Sequence, residues 1–220
     1  HYIYISTPSE SNIKFKIIPI GGLAVSNSVS KSASYRYDIG NGESSQLFVP
    51  SSITGKSSNK GFIIESEGLV YVNIRTNSVR NNTGSYNHAG GLVAKGNSGL
   101  GKRFRAGAML NIPNISGLLN FFSVLATENN TEIRISNIAN GTILANGDVF
   151  NAPFPPIILN KNESYILAIN GSTGSNLIGA LIESNKDIVV NSGSFGGTND
   201  LSNANARDIG FDQIVGADKI

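Results

Sequence analysis

The chain repeats itself. Residues 61–73 read GFIIESEGLVYVN and residues 179–191 read GALIESNKDIVVN, aligned without a gap at an offset of 118. Upstream, residues 5–15 (ISTPSESNIKF) lie over residues 125–135 (LATENNTEIRI) at an offset of 120, and Leu100 lies over Ile220 at the same offset. A nearly constant offset between distant anchors marks two copies of one module, each about 110 residues long. The expected division is a first repeat over residues 1–104, a linker or shared strand over 105–120, and a second repeat over 121–220. After Leu100 the first copy runs on as GKRFRAGAM, where the second copy stops. A longer parent protein with a further repeat is the expectation.

The local pattern within each copy is strand. Residues 69–75 (LVYVNIR) and 131–136 (TEIRIS) alternate with period 2, as half-buried strands do. Residues 13–20 (IKFKIIPI) alternate up to Pro19, which suits a strand end. Gly-, Ser- and Asn-rich clusters separate these runs. The matched polar segments at residues 66–68 and 184–187 read as hairpin turns. Tyr71 reads as a core residue, and Tyr35 and Tyr37 as one strand face. No long apolar stripe recurs at helical spacing. The fold class is therefore all-β, with two tandem antiparallel β-sandwich modules related by duplication. Residues 74–99 and 192–212 read as the longest loops, at equivalent places in the two copies, where binding is expected to reside.

Composition limits the chemistry. The chain has no cysteine, so neither disulfides nor thiolate metal sites are available. No apolar run approaches the ~18 residues of a membrane span. Charged residues make up 15% of the chain, below the ~25% of an ordinary soluble domain, which leaves a neutral polar surface suited to a secreted β-protein. Of the two histidines, His88 is the only credible base and has no second His beside it. The SGSFGG stretch at residues 192–197 lacks nucleophile-elbow spacing, so a Ser–His–acid system is poorly supported. Glu65 and Glu183 are the same residue in two copies, which favours a structural role. The chain is read as a non-enzyme.

Two groups of residues remain as binding candidates. Asp200, Asp208 and Asp212 lie in an Asn-rich stretch and could supply oxygen ligands to Ca²⁺, the one cofactor considered; the bland reading is that they close Asx-turns. Tyr86, His88, Lys95, Lys102, Arg103 and Arg105 are candidates for ligand or module contact. Their context is a charge asymmetry of +7 over residues 1–105 against −5 over residues 106–220. Opposite signs on successive copies predict attraction between modules, or self-association, that weakens as salt rises. An acidic polysaccharide is conceivable near the tyrosines of the basic copy. Nucleic acid is disfavoured because the second copy repels phosphate, and membrane insertion is not expected.

Residues 122–135, LNKNESYIL, GALIESNKDIVVNSGSF and RDIGFDQIV together resemble the amino-terminal domain family of IgG-Fc-binding protein. Asn162 stands where that pattern has Gly, and Asp187 where it has Pro. The family's cysteines near the Asp-Gln step are missing. ISTPSESNIKF, AKGNSGLGKRFRAG and RDIGFDQIV are most similar to its bacterial branch: repeats of large cell-surface proteins of gliding bacteria exported by type IX secretion. The resemblance implies an extracellular, cell-surface home linked to adhesion or gliding motility. Immunoglobulin binding does not transfer, since no binding residues match. The expected function is a non-enzymatic adhesive or scaffold module of a large secreted or surface protein. The alternative is a carbohydrate-binding or accessory module of a carbohydrate-active protein.

Overall fold

The computed structural model describes residues 1–42, 45–48, 54–79, 86–110, 115, 117–169, 175–198, 202 and 207–217. Their regular structure is strand, apart from single 3-10 turns such as Gly96–Gly99. The first part of the chain carries β1 (Tyr2–Ser6), β2 (Ile13–Pro19), β3 (Val25–Val29), β4 (Tyr35–Asp38), β5 (Gly55–Ser57), β6 (Phe62–Ser66), β7 (Tyr71–Val79) and β8 (Tyr86–Val93). After the 3-10 turn comes β9 (Gly101–Arg105). The rest carries β10 (Asn120–Ala126), β11 (Thr131–Ser136), β12 (Thr142–Ile143), β13 (Val149–Phe150), β14 (Ile157–Leu159), β15 (Ser164–Ile169), β16 (Leu181–Gly197) and β17 (Asp208–Ile214). The fold is all-β and antiparallel.

Among the described residues the strands form a four-stranded and a three-stranded sheet in the first half, and in the second one eight-stranded sheet that takes in β5 and β9, beside the β12–β13 pair. In the first half, β1 lies between β4 and β7, and β7 also pairs with β8. Separately, β2 lies between β3 and β6. In the second half, β10 lies between β15 and β16, and β16 also pairs with β17. There, β11 lies between β14 and β16. The long β16 pairs with both β11 and β10, whereas in the first half β6 pairs with β2 and β7 with β1. Residues Leu181–Ser184 of β16 run beside β11, and Ile188–Ser194 run beside β10.

That geometry corrects the expected hairpin turns at residues 66–68 and 184–187. The chain does not fold back at either place. β6 and β7 have different partners, and β16 passes through residues 184–187 as one strand, its pairing with β9 shifting register between Glu183 and Ile188. The polar residues serve a bend from one set of partners to the next. Ser66 Oγ donates to Gly68 O at 2.7 Å, and Ser184 Oγ to Lys186 O at 2.6 Å. Thr7 Oγ1 donates to Leu69 O at 2.7 Å, and Thr127 Oγ1 to Asp187 O at 2.5 Å. Polar composition signalled an irregular strand here as strongly as a turn.

Among the described residues, the expected loops are also largely strand. Residues 74–99 contain most of the β7–β8 hairpin, and residues 192–212 contain much of the β16–β17 hairpin. Their Gly and Asn content hid the pairing. Gly90 and Gly91 lack the side chains that mark a strand, yet a Cβ on Gly90 would lie 2.9 Å from Ile209 Cβ. Close backbone approach required glycine there.

Ile3, Ile5, Phe15, Ile17, Val29 and Val72 form the buried first core. Tyr35 and Tyr37 pack against it as one strand face. Tyr71 does not: Val72 points inward, so its neighbour is 50% exposed. The second core is larger, with Phe104, Phe122, Val124, Ile133, Leu167, Ile182 and Val190 among its fully buried members.

Candidate functional site

Two strands from the first part of the chain pair with the second half. β9 runs antiparallel to β16, with Phe104 opposite Ile182 and Arg105 opposite Leu181. β5 runs antiparallel to β15, with Lys56 opposite Tyr165. The GKRFRA pattern explains the placing of β9: Phe104 and Ala106 are buried in the second core, while Lys102, Arg103 and Arg105 stay exposed.

The segment after β9 is strapped to β16 by buried hydroxyls. Ser192 Oγ donates to Gly107 O at 2.7 Å and accepts from Gly107 N–H at 3.1 Å. Ser194 Oγ accepts from Met109 N–H at 2.8 Å. These serines face the interior, where an aliphatic side chain would leave the segment's amides without partners. SGSFGG is thus a fastening for the connector, made by two buried serines two residues apart on one face of β16.

RDIGFDQIV forms a clasp onto the first half. Arg207 is buried and donates from Nη1 to Gly196 O at 2.9 Å. Asp208 Oδ1 accepts from Ala89 N–H at 3.2 Å. Asp212 pairs with Lys95, Nζ to Oδ2 at 3.1 Å, and Gln213 Oε1 accepts a short bond from Lys95 N–H. Ile209 packs against Gly90. An aromatic row continues the contact: His1 meets Phe48 at 4.9 Å between ring centroids, Phe48 meets Phe195 at 5.2 Å, and Phe195 meets Phe121 at 5.9 Å.

The edge made by β5 has its own ion pair, Lys56 Nζ to Glu163 Oε2 at 2.6 Å. The Lys56 hydrogen bond, with a second from Asn160 N–H, holds the Glu163 carboxyl below the usual glutamate range. The contact therefore stabilises the fold above the ordinary glutamate pKa and is lost as pH falls through the lowered value. An NMR titration of the Glu163 carboxyl carbon should show a midpoint below that of an exposed glutamate, and Lys56→Gln should raise it.

The sequence candidates separate into different roles. Lys95 lies in the clasp. Arg103 Nε pairs with Glu183 Oε1 at 3.4 Å, and Arg105 Nη1 donates to Gly179 O at 2.9 Å, so both bind β9 to the second half. Lys102 is exposed, and its carbonyl lies 3.5 Å from Ser184 Oγ, whose proton goes to Lys186 O. Tyr86 and His88 belong to β8, and their side chains lie outside the described residues, as does Asp200. Asp208 and Asp212 stand four residues apart on β17, which separates their Cα atoms by about 13 Å. Ligands of one cation must converge to about 2.3–2.6 Å from it. Among the described residues, no three acids or histidines gather to hold a metal. Sequence reasoning missed Ser192, Ser194, Arg207, Gln213 and the Lys56–Glu163 pair.

No described helix is long and apolar enough to cross a membrane. Comparison with curated proteins yields no match, and comparison with solved structures yields none. The family model described as IgGFc binding protein matches residues 90–220, which begin in β8 and include β9, the strap and the clasp. With more than half of its length matched, the chain belongs to the IgGFc binding protein family.

Proposed function

We propose that the chain is a non-enzymatic adhesive or scaffold segment of a large secreted or cell-surface bacterial protein, built from two copies of one β-sandwich module. The carrying observation is β9, a strand that follows the first module and completes the second. Matched strand pairings support the duplication. So do the paired Ser66/Ser184 and Thr7/Thr127 hydrogen bonds. Such a joint transmits position, because neither module can turn without breaking a strand ladder. The sequence resemblance favours the gliding-bacterial branch, type IX export and surface display. Partners are neighbouring modules or further copies, with an extracellular polysaccharide as the outside candidate.

The charge asymmetry has a small part in this reading. Lys95–Asp212 and Arg103–Glu183 join basic residues of the first part to acids of the second, but all four side chains reach solvent. Exposed pairs contribute about 0–1 kcal/mol each. Raising salt from 0.1 to 1 M, which shortens the Debye length from about 10 to about 3 Å, should leave the radius of gyration unchanged in small-angle scattering. Growth of the maximum dimension with salt would mean loosely tethered modules and would count against the rigid scaffold. A glycan array completes the test: silence is expected, and selective sugar binding would move the chain to the carbohydrate-binding class.

A further inference from the structure

The second half is completed by a strand from outside it, and the first half has the same place open. β16 at Leu181–Glu183 is flanked by β11 on one side and β9 on the other. Its counterpart β6 pairs with β2, and among the described residues no strand lies along its other edge. The ladder shows which groups face that edge. Ile20 N–H donates to Gly61 O and Glu67 N–H to Lys14 O, so residues 61, 63, 65 and 67 turn their backbone groups toward β2. Phe62, Ile64 and Ser66 therefore turn theirs outward. At an offset of 118 these are Ala180, Ile182 and Ser184, and Ala106 N–H donates to Ala180 O from β9.

Burial points the same way. Ala180, Ile182 and Ile188 are all 0% exposed, whereas Phe62, Ile64 and Val70 at the corresponding positions are only half-buried. In the second half, Phe104 covers this part of the core. In the first half no strand among the described residues brings a ring to that place, and Phe62 meets only the Tyr37 ring edge-on from the core side, at 6.1 Å between centroids.

We propose that the outer edge of β6 is a strand-accepting site, and that its occupant is a segment of the β9 type, Gly-Lys-x-Phe-x-Ala, from another module of the same kind. Main-chain bonds to Phe62, Ile64 and Ser66 would supply affinity, and an aromatic ring entering beside Ile64 would supply specificity. The same operation that joins the two halves would then join successive units head to tail. The inference rests on reading the halves as copies, but its test is separate: failure to accept a strand leaves the β9–β16 pairing and that reading in place.

The experiment adds a second copy of residues 101–119 directly ahead of His1 in the full chain, at the spacing by which β9 precedes β10. The expected result is a melting temperature higher by on the order of 5 °C than for the same fusion carrying Phe104→Asp in the added copy only. Amide exchange at Ile64 should slow in the first fusion alone. A second measurement uses a synthetic peptide of residues 101–108 with Arg105→Cys, offered to the chain carrying Ile63→Cys, the counterpart of Leu181. Register-specific pairing predicts mixed-disulfide capture that a scrambled peptide does not give. Equal melting of the two fusions, or equal capture of both peptides, would overturn the proposal. So would a stable dimer of the unmodified chain in which β6 pairs with β6, since the edge would then be filled without a β9-type strand.

Discussion

Phe104→Ala should lower stability by about 3–5 kcal/mol, the usual cost of emptying an aromatic site in a packed core. For a chain of this size that corresponds to a fall in melting temperature of about 10 °C. Phe104 is 0% exposed and sits among the buried residues of the second half, opposite Ile182. The damage should therefore appear in β16 and β11 by hydrogen exchange, while β1 and β2 keep their protection. Arg103→Ala, next door and exposed, removes one surface ion pair and should cost no more than about 1 kcal/mol. Loss of protection confined to β1, β2 and β6 after Phe104→Ala would assign β9 to the wrong half.

Gly193→Val should be as damaging by a different route. Gly193 lies on β16 between Phe121 of β10 and Phe211 of β17. A Cβ there would collide with Gly210 O and Phe211 Cα and stand 2.6 Å from Phe211 Cβ. These are backbone or near-backbone atoms, so no rotamer change relieves them. Overpacking of this kind costs about 3 kcal/mol or more when a strand must move. Displacing β17 would also release Asp208, Asp212 and Gln213 from the first half. The expected result is a lowered melting temperature with rapid amide exchange along β17 and β8. Gly107→Ala is the control: no atom lies within 4 Å of its added Cβ, so stability should change by less than about 0.5 kcal/mol.

Much of the fold was legible because strands advertise themselves by alternation. Residues 131–136 alternate and become β11; residues 13–19 alternate and become β2, ending at Pro19. Alternation reports which faces are buried, but not which strand is the neighbour. That is why residues 184–187 read as a turn when they are a bend within β16, and why the glycine-rich hairpins read as loops. The repeat located β9 but assigned it by chain order, whereas Phe104 is held by the second core. At the seam, Lys95, Arg103, Arg105, Asp208 and Asp212 stood out as charges. Ser192, Ser194 and Gln213 did not, because a neutral polar residue gives no sign of burial until its partners are known.

β9 leaves the first half and completes the second, and in a chain without native cysteine an engineered disulfide reports that pairing. Arg105 stands opposite Leu181, one step along the ladder from the hydrogen-bonded pair of Ala106 and Ala180. Such non-hydrogen-bonded antiparallel pairs have Cα atoms about 4.5 Å apart, within disulfide range. Mild oxidation of the Arg105→Cys, Leu181→Cys chain should close an intramolecular disulfide in the folded monomer, while the Arg105→Cys, Ile63→Cys chain should stay reduced. Closure of the second pair and not the first would place β9 on β6 in the first half.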